Sequence, residues 1–75
     1  RFDRVMTITT KYNVGDKVWF GSLGFSKSAT ISEIKIYVMI DGYIRIEYNI
    51  EKNGYCWLRN EHEIFPTKEE LLKSL

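Results

Sequence analysis

The chain has one cysteine, one proline and one histidine in 75 residues, and its 11 basic and 10 acidic side chains leave a net charge of only +1. Each shortage excludes something. A lone thiol, Cys56, rules out an intramolecular disulfide framework and a multi-cysteine metal site. A lone histidine, His62, lies between Glu61 and Glu63 with no matched nucleophile, which leaves neither a triad nor a zinc site. Near-balanced charge argues against a dedicated nonspecific nucleic-acid binder, which carries a basic excess or stripe. No apolar run approaches the ~18 residues of a membrane-spanning helix, and no signal peptide is visible, so a cytoplasmic protein is expected. The length suits one domain, and a chain of this size buries only about 60% of its unfolded surface. A deep cleft between subdomains is out of reach. An enzyme is not expected, no catalytic residue, cofactor or metal is assigned, and association into a homo-oligomer is favoured.

What the chain does have is turn chemistry. Asp41-Gly42 and Asn53-Gly54 each sit between alternating β-branched and aromatic residues, the strongest short-range hairpin signal. A two-residue loop at Asp41-Gly42 would mix the apolar sets of its two strands. A three-residue loop, Ile40-Asp41-Gly42, pairs Val38 with Ile44, Ile36 with Ile46 and Ile34 with Tyr48 on one apolar face. The opposite face receives Met39 with Tyr43, Tyr37 with Arg45, and Lys35 with Glu47. Applied to Lys52-Asn53-Gly54, the same geometry puts Ile50 with Cys56 and Tyr48 with Leu58 inside. Glu51 with Tyr55, Asn49 with Trp57, and Glu47 with Arg59 then lie outside, and Cys56 becomes a small core hydrophobe.

The remaining elements follow in order. Met6 is a candidate start preceded by an extension, and residues 7–10 form a candidate edge strand. Gly15-Asp16 turns into a strand that directs Val18 and Phe20 one way and Lys17 and Trp19 the other. Residues 21–28 read as a mobile loop, and 29–40 as one long strand. The apolar phase of that strand changes between Ile31 and Ile34, which predicts a bulge or bend at Ser32-Glu33. Residues 60–62 turn into a short last strand, Glu63-Ile64-Phe65. Pro66 then precedes a helix with Thr67 as N-cap, Glu70 completing a capping box, and an apolar stripe of Leu71, Leu72 and Leu75. A helix this short must dock on its own barrel or on a partner.

The Val14-Gly15-Asp16-Lys17-Val18 lead-in, long second strand, tight meander and short closing strand resemble an SH3-like barrel over residues 12–65. The expectation is a mainly all-β chain: an extension (1–11), a five-stranded SH3-like barrel (12–65) and a C-terminal helix (66–75). The barrel lacks the acidic loop and tandem tryptophans of SH3 domains that read proline-rich ligands. It has Ala29 where KOW modules carry a glycine. The ending Phe65-Pro66-Thr67-Lys68-Glu69-Glu70-Leu71-Leu72 is similar to that of short uncharacterised proteins of bacterial and phage genomes, which implies a mobile-element origin.

The candidate binding residues are Trp19, Tyr37, Met39, Tyr43, Arg45, Tyr55, Trp57 and Arg59. All but Trp19 are assigned to the outward face of the meander. Clustered exposed aromatics with arginines mark an interface or a surface partly covered by other elements. The same groups stack bases and pair with phosphate. Ser22, Gly24, Ser26, Lys27 and Ser28 offer hydroxyl and amide donors to a phosphate, without matching a P-loop. The functional expectation is a small phage or prophage binding protein that blocks or sequesters a host component, either a protein or a nucleotide signal. The alternative is a nucleic-acid-binding SH3-like module.

Overall fold

The computed structural model describes residues 7–75. It contains β1 (Lys17–Ser22), β2 (Phe25–Val38), β3 (Ile44–Lys52), β4 (Tyr55–Asn60), a 3-10 turn (Glu61–Glu63) and the helix α1 (Lys68–Lys73). The strands form one antiparallel sheet in the order β1-β2-β3-β4. This is mainly β with a short C-terminal helix, as expected, but it is an open four-stranded sheet and not a closed barrel of five strands. The expected last strand is reduced to one bridge, in which Phe65 and Trp19 exchange N–H···O bonds of 2.7 and 2.9 Å. Residues 7–10 form no strand. The candidate start at Met6 lies outside the described residues.

The first long hairpin has the register that the apolar pattern dictates: Val38 opposite Ile44, Ile36 opposite Ile46, Ile34 opposite Tyr48, and Lys35 opposite Glu47. Gly42 takes φ +89°, and the Met39 N–H donates to the Tyr43 carbonyl at 2.7 Å, closing the three-residue loop. The phase change in β2 is a bulge: pairing shifts between Ile31 and Glu33.

The second hairpin departs from expectation. Lys52 pairs with Tyr55, Ile50 with Trp57, and Tyr48 with Arg59, so Asn53-Gly54 is a two-residue loop. Asn53 (φ 52°) and Gly54 (φ 83°) are both left-handed, the type I′ geometry whose twist matches the strands. A one-residue slip reverses every side chain of a strand. Tyr55, Trp57 and Arg59 therefore share the face of Ile50, while Cys56 and Leu58 are exposed on the other.

Residues 21–28 are not a loop either. β1 and β2 pair to their ends, with Ser22 opposite Phe25, across the tight turn Leu23-Gly24. Leu23 sits at φ 52° and is 92% exposed. An L-residue held there costs roughly 1–2 kcal/mol, which asparagine partly avoids. Leu23→Asn is expected to raise stability by about 1 kcal/mol, read from the midpoint of urea unfolding at unchanged slope.

Val18, Phe20, Ala29, Ile31, Tyr48, Ile50 and Ile64 form the core, joined by Tyr12 from the segment before β1. Ile34, Ile46 and Trp57 pack at its margin. The Tyr12 ring meets Tyr48 edge-on at 5.6 Å, and its hydroxyl donates to the Ile64 carbonyl at 3.2 Å. Those contacts hold the lead-in segment across the sheet. At the C-terminus the Thr67 hydroxyl accepts the Glu70 N–H at 3.2 Å, as an N-cap should. The Glu70 carboxylate meets that same hydroxyl at 3.4 Å, where a full capping box would bring it to the Thr67 N–H. Buried Leu71 anchors the helix to the β1–β2 hairpin, beside a groove lined by Leu23, Phe25, Leu72 and Leu75. The distal parts of β2 and β3 extend past the core as a two-stranded ribbon, giving a body of 49 × 27 × 18 Å.

Candidate functional site

The eight candidate residues fall into two groups. Tyr37, Met39, Tyr43 and Arg45 lie on the ribbon, where the Arg45 guanidinium stands 4.8 Å over the Tyr37 ring and 3.6 Å from the Glu47 carboxylate. Trp19, Tyr55, Trp57 and Arg59 belong to the body. The corrected register of β4 separates the two groups: Tyr55, Trp57 and Arg59 do not share the outward face of Tyr37.

Three of the body residues border one cleft. Trp19 from β1, together with Tyr55 and Trp57 from β4, lines a cleft of about 430 Å³. Each ring is held by its own element. The Phe65 bridge fixes the Trp19 backbone, and the Lys17 ammonium lies 5.3 Å over its ring. Trp57 is braced by a tilted contact with buried Phe20 at 5.0 Å, and Tyr55 leans on Trp57 at 6.3 Å. Arg59 stays out of the cleft: its guanidinium covers the Phe20 ring at 5.3 Å.

The polar part of the cleft comes from Ser26, Lys27 and Ser28 of β2 and from Lys52 and Asn53 at the second turn. The Lys52 ammonium donates to the Ser28 hydroxyl at 3.2 Å, which holds the cation at the cleft wall. No carboxylate lines the cleft. An adjoining depression of about 460 Å³ shares Ser28, Lys52 and Asn53 and adds Lys17, Thr30 and Glu51. The sequence marks Ser26, Lys27 and Ser28 as phosphate donors, and the tight β1–β2 hairpin holds them at the site. It marks Lys52 and Asn53 only as turn residues. Their place is set by the type I′ register, which puts Lys52 opposite Tyr55.

Chemically, the cleft offers aromatic faces and ammonium donors within one volume. Aromatic side chains stack planar rings, and ammonium groups with hydroxyls bind oxyanions. No histidine, cysteine or carboxylate is among its lining residues. Among the described residues no group of three or more histidine, cysteine or carboxylate side chains could hold a metal, and no helix is long and apolar enough to cross a membrane. No family model, curated protein or solved structure matches the chain.

Proposed function

We propose that the protein is a non-catalytic binding module whose cleft takes a nucleotide, the base against Trp19, Tyr55 and Trp57 and the phosphate at Lys27 and Lys52. One observation carries this reading: three rings from two strands and two lysines line the same space with no carboxylate among them. The volume is of the order typical for small-ligand sites, about 300–1,000 Å³. The scaffold is read as a reduced SH3-like barrel. Strand order, the 3-10 turn after β4 and the return of Phe65 to β1 support that reading. A nucleotide held this way is withdrawn from solution, which in a phage-encoded protein would deplete a host signal.

Titration with adenosine mono- and triphosphate, followed by tryptophan fluorescence, tests the site because both tryptophans line it. Quenching that saturates is the expected result. Tyr55 is 70% exposed, so Tyr55→Ala should leave the fold intact. The variant should weaken binding about tenfold, within the about 1–3 kcal/mol of one stacking contact. Lys27→Ala combined with Lys52→Ala should weaken the triphosphate far more than adenosine. A folded protein with unchanged fluorescence at millimolar nucleotide overturns the reading. Tight oligonucleotide binding that collapses with added salt would replace it with nucleic-acid recognition.

A further inference from the structure

We propose that the free edge of the β2 ribbon pairs antiparallel with the same edge of a second copy, making a two-fold dimer with a continuous sheet across it. β1 covers only residues 25–30 of β2, and the bonds of Ile31 with Gly15 and Asp16 extend that cover by one residue. Beyond the bulge the edge changes character. Met39 bonds to Tyr43 on the β3 side, so by alternation the odd residues of the ribbon bond to β3. Ile34, Ile36 and Val38 thus direct their N–H and C=O groups away from β3. Among the described residues nothing accepts or donates to them there. Ile36 and Val38 are also 43% and 55% exposed, so an apolar surface lies beside the open backbone edge.

The occupant follows from self-complementarity. Centring the two-fold on Ile36 sets Ile36 opposite Ile36, and Ile34 opposite Val38 twice, forming three hydrogen-bonded pairs between apolar residues. On the reverse face each Lys35 then meets the Tyr37 ring of the other copy, a favourable cation–π neighbour. Shifting the register so that Ile34 faces Ile36 places Lys35 directly against Lys35, which like charges disfavour. Charge therefore favours the register centred on Ile36 over that shift. A free edge of this kind is otherwise a template for indiscriminate strand addition, and a closed two-fold removes it. The ribbon lies at the opposite end of β2 and β3 from Ser28 and Lys52, so both nucleotide clefts stay open in the dimer.

Sedimentation velocity over a micromolar to millimolar range is expected to show a monomer–dimer equilibrium. Ile36→Lys, at an exposed position, should raise its dissociation constant at least tenfold while circular dichroism is unchanged. The register is read by oxidation in a Cys56→Ala background. Residues opposed in a hydrogen-bonded pair lie about 5.5 Å apart at Cα, within disulfide range. Ile36→Cys should therefore cross-link, whereas Val38→Cys, about 14 Å from its own copy, should not. A monomer at every concentration overturns the proposal, as does a dimer indifferent to Ile36→Lys or one that cross-links through Val38→Cys instead.

Discussion

Phe20→Ala is expected to remove about 3–5 kcal/mol of folding stability. Phe20 has no exposed surface, and its ring is braced by Trp57 on one side and by the Arg59 guanidinium on another. Truncating a buried phenylalanine costs about 3–5 kcal/mol through lost transfer energy and the cavity left behind. A chain of 75 residues has a total stability of roughly 4–11 kcal/mol, so this one side chain accounts for much of the margin. Urea unfolding followed by tryptophan fluorescence will show it, because Trp57 loses its packing partner. Phe20→Leu keeps most of the volume and should remain folded at a smaller cost. The contrast with Tyr55→Ala is informative. Losing Phe20 should lower stability and ligand binding together, while losing Tyr55 should weaken binding alone. An alanine variant at Phe20 that unfolds at the wild-type midpoint would show that the core does not depend on the Phe20–Trp57 contact.

The sequence expectations divide along a physical line. Where turn chemistry and apolar alternation agree, as around Gly42, the register is legible to the residue. The Ser32 bulge is legible for the same reason, since a change of apolar phase inside one strand has few other causes. Around Asn53-Gly54 the two signals conflict. Matching small apolar residues would bury Cys56 and Leu58, whereas the type I′ loop buries Trp57 and exposes them. The loop prevails because its twist suits the strands and because Trp57 supplies far more area against Phe20 than Cys56 can. Leu23-Gly24 gives no signal at all, since leucine is a poor residue at a left-handed position and only the pairing of β1 with β2 holds it there. Long-range contacts such as Tyr12 on Tyr48 leave no local trace. The apolar face of Ile36 and Val38 is visible in the alternation, but its lack of cover is not, because alternation reveals a face and not where the core ends. The cleft is half legible for the same reason: its aromatic and phosphate-binding residues stand out by type, but their meeting depends on the register of β4.

Raising the pH above 10 should destabilise the protein through Tyr48, and Tyr48→Phe should remove that component. Tyr48 has no exposed surface; its hydroxyl donates to the Glu61 carboxylate and accepts the Tyr12 N–H at 3.4 Å. Burial, and then the bond to Glu61, push its pKa from 10.0 up to about 12. Between those values the folded chain keeps a proton that the unfolded chain has released. The native state thus binds more protons, and stability must fall as pH rises. The contribution is intact below pH 10 and is lost as pH passes through about 12. Tyr48→Phe cannot ionise, so the stability difference between the two proteins should narrow across that window; the other tyrosines and the lysines are common to both and cancel. Below it the variant should be less stable by about 1–3 kcal/mol, because the Tyr12 N–H loses its acceptor and Glu61 one of its donors. Glu61 still accepts the Lys11 N–H at 3.0 Å, which keeps the carboxylate partnered and the loss moderate. Urea unfolding of both proteins along a pH series measures this directly. A difference that stays constant through the window would mean that the Tyr48 hydroxyl is not held protonated by burial and Glu61.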